Sequence, residues 1–132
     1  MSSLTTVQVR FSETDAIGHV NNVSYFIYLE QARVDFIKSL QADREHPDLF
    51  LAVVSMTCDF IRQAFFDQVL IIETTVTDIG GKSFTLKHTM KEKQTDDTIA
   101  VGQSVVVLLD REKNKAVPLN AGWKEKLRCH QE

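Results

Sequence analysis

The stretch from Val23 to Leu40 constrains this chain more than any other. Phe26, Leu29, Ala32, Phe36 and Leu40 recur at spacings of three and four, the period of an α-helix. Its first half, Tyr25-Phe26-Ile27-Tyr28-Leu29, is apolar on nearly every side, and a helix apolar all round is a buried one. Something must therefore wrap it, and the rest of the sequence supplies strands. Val7 to Phe11 alternates apolar and polar residues ahead of the helix. Phe50 to Phe60, Val69 to Ile79, Phe84 to Met90 and Ile99 to Leu109 follow it, rich in β-branched and aromatic residues. Gly80-Gly81 and Thr95-Asp96-Asp97-Thr98 read as hairpin turns. Residues 41 to 48, with Asp43, Arg44, Glu45, His46 and Pro47, read as a polar connection, and Asn120 to Arg128 as a short terminal helix. One strand, one long helix and four strands joined by short turns predict an α+β domain with an antiparallel sheet packed on a single helix.

At 132 residues the chain is read as one domain, 1–132, large enough to bury about two thirds of its unfolded surface without covalent staples. No repeat or linker divides it. The formal charge of −3 argues against bulk electrostatic binding of nucleic acid or anionic lipid. The N-terminal residues lack the basic and apolar regions of a secretory signal, and no apolar run approaches the ~20 residues of a membrane helix. Cys58 falls in a strand-like run and reads as a small buried residue. Cys129 lies in a polar tail and reads as a free thiol. Neither belongs to a metal-ligand spacing, so no metal is expected, and the usage fits a reducing cytoplasm. Val105-Val106-Val107-Leu108-Leu109 is apolar at both parities. Such a strand is buried on both faces or meets another subunit, which predicts a homodimer or homotetramer.

Chemistry concentrates in Asp15-Ala16-Ile17-Gly18-His19-Val20-Asn21-Asn22, directly ahead of the long helix. A carboxylate, an imidazole and two amides lie where a helix N-terminus offers unpaired N–H groups, an arrangement suited to stabilising developing negative charge beside a base or nucleophile. Each residue also has a structural reading. Asp15 is a common turn residue, His19 can hold a loop, Asn21 or Asn22 can cap the helix, and Gly18 lets the backbone turn or approach a ligand. Glu13, two residues from Asp15, reads as a solvated surface carboxylate. Glu30 and Arg33 are spaced to pair on the helix. His88, on a strand face with Phe84, Leu86 and Met90, reads as a satisfied core or interface histidine.

Val9-Arg10-Phe11, Glu13-Thr14-Asp15, Gly18-His19-Val20-Asn21-Asn22, Tyr25 and Tyr28-Leu29-Glu30-Gln31-Ala32-Arg33 resemble the signature of hotdog-fold acyl-CoA thioesterases of the 4-hydroxybenzoyl-CoA thioesterase type. The likeness runs over essentially the whole chain. It implies the hotdog fold, a curved five-stranded antiparallel sheet wrapped around one long central helix. It implies hydrolysis of an acyl-CoA to free acid and coenzyme A, with no cofactor beyond the coenzyme A of the substrate. By this resemblance Asp15 is the catalytic carboxylate, and the backbone N–H at Asn22 or Val23 polarises the thioester carbonyl. His19, Asn21 and Gly18 position loop and substrate. The His-Val-Asn-Asn form resembles the branch acting on fatty or other acyl-CoAs. Active sites in this family lie between subunits.

Coenzyme A carries phosphates, so basic residues at strand ends or turns, Arg62, Lys82 and Arg111, are candidates for its entry, with ordinary surface charge as the alternative for each. Two other functions fit the same fold: an acyl-CoA-binding module that retains the pocket, and a dehydratase acting on acyl thioesters. The dehydratases tend to carry a catalytic histidine on the helix, and this helix has none.

Overall fold

A computed structural model describes residues 3–40 and 49–131 of the chain. The polar connection expected at 41–48 lies outside them. The elements are β1 (Ser3–Gln8), α1 (Asn22–Ser39), β2 (Leu49–Phe60), β3 (Val69–Ile79), β4 (Ser83–Glu92), β5 (Thr98–Asp110), β6 (Lys115–Ala116) and α2 (Ala121–Arg128). The first strand departs from its expected span of Val7 to Phe11. It starts earlier and ends at Gln8, and Phe11–Glu13 turns as a single 3₁₀ coil instead. The strand extends no further because pairing with β3 stops at Gln8↔Val69.

The sheet runs β1-β3-β4-β5-β2, with every pair antiparallel. The two residues of β6 continue the β4 side of β5 past the end of β4. Register shifts between Val53 and Ser55, Val76 and Asp78, and Met90 and Lys91 mark bulges, which bend and twist a sheet locally. The result is a curved five-stranded sheet with α1 on its concave face, the hotdog fold.

Leu29, Ala32 and Phe36 of α1 are completely buried against that face. The approach is closest at Gly102 of β5, where an added Cβ would stand 2.6 Å from Leu29 Cδ1 and 3.2 Å from the carbonyl of Thr57. The glycine is what lets helix and sheet meet there.

A row of polar side chains crosses the sheet between two apolar clusters. Thr74 separates Ile72 from Val76 on β3, His88 separates Met90 from Leu86 on β4, and Ser104 lies next to Val106 on β5. All three are fully buried. Nδ1 of His88 lies 2.8 Å from Oγ1 of Thr74, and Nε2 lies 3.0 Å from Oγ of Ser104, so both ring nitrogens are paired, as buried polar groups require. Burial, seconded by the positive charge of Arg33, pushes the imidazole down to about 4. His88 is thus the satisfied core histidine the sequence suggests.

The helix is not buried all round. Val23 is 69% and Ile27 50% exposed. One sheet covers one side of a cylinder, and the opposite side of the first two turns faces outward. The strand Thr98–Asp110 shows the same asymmetry: Val106 and Leu108 are buried, whereas Val105, Val107 and Leu109 are only partly covered.

Candidate active site

The loop ahead of α1 is a small hairpin. Thr14 and Val20 form an antiparallel bridge, and the N–H of Asp15 donates to the carbonyl of His19 at 2.7 Å. The N–H of Gly18 closes a turn onto the Asp15 carbonyl at 3.1 Å, with Gly18 at φ +84°. This left-handed backbone is where glycine is favoured. Asp15 Oδ1 accepts from the N–H of Ile17 at 3.0 Å and of His19 at 3.2 Å. Among the described residues Oδ2 has no hydrogen-bond partner, and the side chain faces solvent. The carboxylate is therefore oriented by one oxygen and presented by the other.

A second strip of chain supports the hairpin. Val20 N–H donates to the carbonyl of Ala64 at 2.8 Å. The ring of His19 meets Phe65 edge-on at 4.9 Å between centroids. Ala64 N–H donates in turn to the hydroxyl of Tyr25 at 3.0 Å, which ties this strip back to the helix. His19 is thus a packed member of the loop, its backbone bonded to Asp15 and its ring to Phe65.

Of the two possible caps, Asn21 is the one used. Its Oδ1 accepts from the N–H of Ser24 at 2.9 Å. Ser24 is the third helical residue, so the N–H groups of Asn22 and Val23 remain as first-turn donors without helical acceptors. Both residues are exposed. The backbone positions expected to polarise a carbonyl therefore sit on the same structural unit as the Asp15 carboxylate, joined to it through the hairpin.

Glu13 is not the solvated carboxylate the sequence suggests. It is 6% exposed. Its Oε1 accepts from the N–H of Arg10 and from the hydroxyl of Tyr28, each at 2.8 Å, and its Oε2 accepts from Nη2 of Arg10 at 2.8 Å and Nε at 3.2 Å. Burial alone would raise its carboxyl; the bonds from the Arg10 side chain, the Arg10 backbone and Tyr28 outweigh this and hold it below the usual carboxylate range. The same contacts act on Tyr28, whose hydroxyl is pushed up by burial and by the Glu13 carboxylate. The signal available in the sequence was the three-residue spacing of Arg10 and Glu13. Tyr28 lies fifteen residues away, and only the fold brings it there.

The basic candidates separate. Arg62 follows β2 at the loop's end of the sheet, where its N–H donates to the carbonyl of Ile99 at 3.0 Å. Lys82 lies in the β3–β4 turn, beside Leu108, and Arg111 follows β5, its guanidinium over the ring of Phe50 at 5.1 Å. Along β5 from Ile99 it is nine residues to Leu108, beside Lys82, and twelve to Arg111, roughly 30–40 Å. Within one chain Lys82 and Arg111 therefore do not reach the Asp15 loop. Glu30 and Arg33 do approach, at 3.8 Å, but Glu30 is largely solvated. Among the described residues no cluster of histidine, cysteine or carboxylate side chains has the makings of a metal site. Neither cysteine is in a disulfide, and no described helix is long and apolar enough to cross a membrane.

An oriented carboxylate, a helix N-terminus capped by Asn21 with the Asn22 and Val23 N–H groups left open, and a hotdog scaffold stand together in this chain. Residues 9–127 match the family model described as the thioesterase-like superfamily, and the chain belongs to that family of thioester hydrolases. The chain is 29% identical over 126 residues to the long-chain acyl-CoA thioesterase FadM of Escherichia coli, covering 93% of this chain and 95% of that one. It is 30% identical over 79 residues to the acyl-CoA thioesterase YbgC of Haemophilus influenzae, covering 57% and 58%. Among solved structures, the probable thioesterase YbaW of Escherichia coli superposes with a TM-score of 0.86 at 27% identity, covering 98% of this chain and 99% of that one. A predicted thioesterase of Bacillus stearothermophilus gives 0.88 at 24% identity over 100% and 98%, a likeness of fold.

Proposed function

We propose that this chain hydrolyses acyl-CoA thioesters to a free acid and coenzyme A, with Asp15 as nucleophile or general base. The observation that carries this reading is a solvent-facing Asp15 Oδ2 on a braced hairpin that leads directly into the helix N-terminus bearing the open N–H groups of Asn22 and Val23. The acyl-CoA thioesterases among its relatives support the substrate class.

As a nucleophile, Oδ2 attacks the carbonyl carbon, the N–H groups receive the negative charge that develops on oxygen, and the C–S bond breaks to release the coenzyme A thiolate. Water then cleaves the mixed anhydride. As a base, Oδ2 takes a proton from the water that attacks directly. Either route draws on the same oxyanion donors, worth about 3–4 kcal/mol by analogy with a single oxyanion-hole group. Neither route calls for a metal. His19, Asn21 and Gly18 hold the loop, and Arg62, at the loop's end of the sheet, is the basic residue we assign to the coenzyme A phosphates.

The working form is a homodimer or homotetramer, in the cytoplasm. β2 is a twelve-residue sheet edge bearing Val54 and Phe60 at 61% and 45% exposure, and long apolar edges of this kind invite pairing. Val23 and Ile27, also exposed, give the start of α1 an apolar surface of its own, and a second copy that covers it would complete the site.

The test is release of free thiol from a panel of aliphatic and aromatic acyl-CoAs, with and without chelator. Turnover that survives chelation is expected. No thiol above background across the panel, or loss of activity with chelator, refutes the reading. Tight binding without turnover would identify an acyl-CoA-binding module instead.

A further inference from the structure

We propose that Glu13 is the positioning residue that sets the Asp15 carboxylate against the oxyanion donors of α1; the proposal rests on the role given to Asp15 above. Glu13 is bonded at both of its ends. Its side chain receives Tyr28, in the second turn of α1, and Arg10, at the end of the strand-side chain. Its backbone carbonyl receives both the N–H of Asn21 at 3.0 Å and Nδ2 of Asn21 at 3.1 Å. Asn21 is the helix cap, and its amide spans Glu13 and Ser24, one end donating and the other accepting. The next rung beyond this pair is the Thr14–Val20 bridge, and the next residue is Asp15.

The hairpin that carries Asp15 is thus rooted on Glu13 and Asn21; the Asn21 side chain ties that root to the first turn of the helix and the Glu13 side chain ties it to the second. The donors at Asn22 and Val23 move with the helix, and Asp15 moves with the hairpin. Their separation is held by the bonds of Glu13 to Tyr28 and Asn21. Ionisation is essential to the arrangement. Four donors converge on the two carboxylate oxygens, and bonds to a charged acceptor are roughly twice as strong as neutral ones. An amide at this position has one acceptor oxygen and sets its NH₂ against either Arg10 or Tyr28. Charge at Glu13 is met by Arg10 and Tyr28 rather than turned toward substrate, so Glu13 is not itself a base for the reaction.

Glu13→Gln and Tyr28→Phe test this with palmitoyl-CoA and octanoyl-CoA as substrates and Asp15→Asn alongside. A displacement of about 1 Å at reacting groups costs on the order of 10²-fold. Glu13→Gln is expected to lower kcat about 10- to 100-fold and Tyr28→Phe about 3- to 10-fold, with KM within about threefold. The acid limb of the rate profile should keep its midpoint while its plateau falls. Leu127→Ala, in the apolar cluster under α2, serves as a control for lost stability and should leave kcat per folded molecule unchanged.

Amide exchange supplies a readout independent of turnover. The Asp15 and Val20 amides should exchange at least tenfold faster in Glu13→Gln, with β3 and β4 amides unaltered. Asp15→Asn inactive with Glu13→Gln and Tyr28→Phe both within twofold of wild type overturns the positioning role and leaves the Asp15 reading standing. Loss of the acid limb in Glu13→Gln also overturns it, by making Glu13 the titrating group. If Asp15→Asn remains active, the Asp15 reading fails and the positioning of a catalytic carboxylate fails with it. Unchanged exchange at Asp15 and Val20 refutes the structural premise whatever the kinetics.

Discussion

Acidification should destabilise this protein through His88, and the size of the effect follows from its surroundings. The imidazole is fully buried, paired on both nitrogens with hydroxyls, and faced by the guanidinium of Arg33 across the helix–sheet gap. Burial and that charge lower it from 6.5 to about 4. Between those two values the unfolded chain takes up a proton that the folded protein refuses, so stability is highest above pH 6.5 and falls as the pH drops toward 4. That separation is worth on the order of 3 kcal/mol in full, most of which is lost between pH 7 and pH 4.5. The assay is urea unfolding of wild type and His88→Gln at fixed protein concentration across that range. The variant lacks the titrating ring, so every other carboxylate contributes equally to both curves. His88→Gln has its own constant cost, and the difference between the proteins should shrink by about 2 kcal/mol toward pH 4.5. In urea this is a change in relative midpoint on the order of 1 M. Parallel loss of stability in the two proteins, within about 0.5 kcal/mol, would show that His88 is protonated in the fold at higher pH and that the polar row is open to water.

Asp15→Asn should keep the fold and lower kcat by at least ~10²-fold, with His19→Gln costing less; wild-type turnover in the first with a dead second variant would reverse the two roles. Gly102→Ala places a methyl against Leu29 Cδ1 and the Thr57 carbonyl, and because Leu29 is itself fully buried the cost should be about 1–3 kcal/mol in chemical denaturation. An unaltered midpoint would mean that α1 lifts from the sheet freely. Light scattering should report a dimer or tetramer, and Val54→Lys, which puts a charge on the exposed β2 edge, should shift it toward monomer; a wild-type monomer at micromolar concentration refutes the shared site.

Periodicity was enough for the long elements. α1, β3, β5 and the terminal α2 fall within a residue or two of their expected spans, α1 because its apolar residues keep the helical period throughout and β3 and β5 because they are long β-branched runs bounded by turns. The first strand was misjudged because Val9 and Phe11 keep the alternation going after pairing has ended. Val9 is 1% exposed while Phe11 is 76% exposed and stacks edge-on with Phe66, a partner no local pattern reveals. The loop's local geometry was legible because Asp15 bonds Gly18 and His19, and Asn21 bonds Ser24, within a few residues, which spacing alone can express.

What lay beyond the sequence required residues to meet across the fold. Glu13 looked like surface charge until Tyr28 arrived from the second helical turn to bury and bond it. Lys82 and Arg111 looked equivalent to Arg62 until the antiparallel register sent them to the far end of the sheet. His88 could be called a satisfied histidine from its apolar neighbours, but its partners, Thr74 and Ser104, come from the two flanking strands. The physical reason is common to all three. Propensity and capping are properties of neighbouring residues, so the chain determined its helix, its strands and the hairpin loop locally. Desolvation, ion pairing and distance depend on which surfaces the folded sheet brings together, and only the tertiary structure decided those.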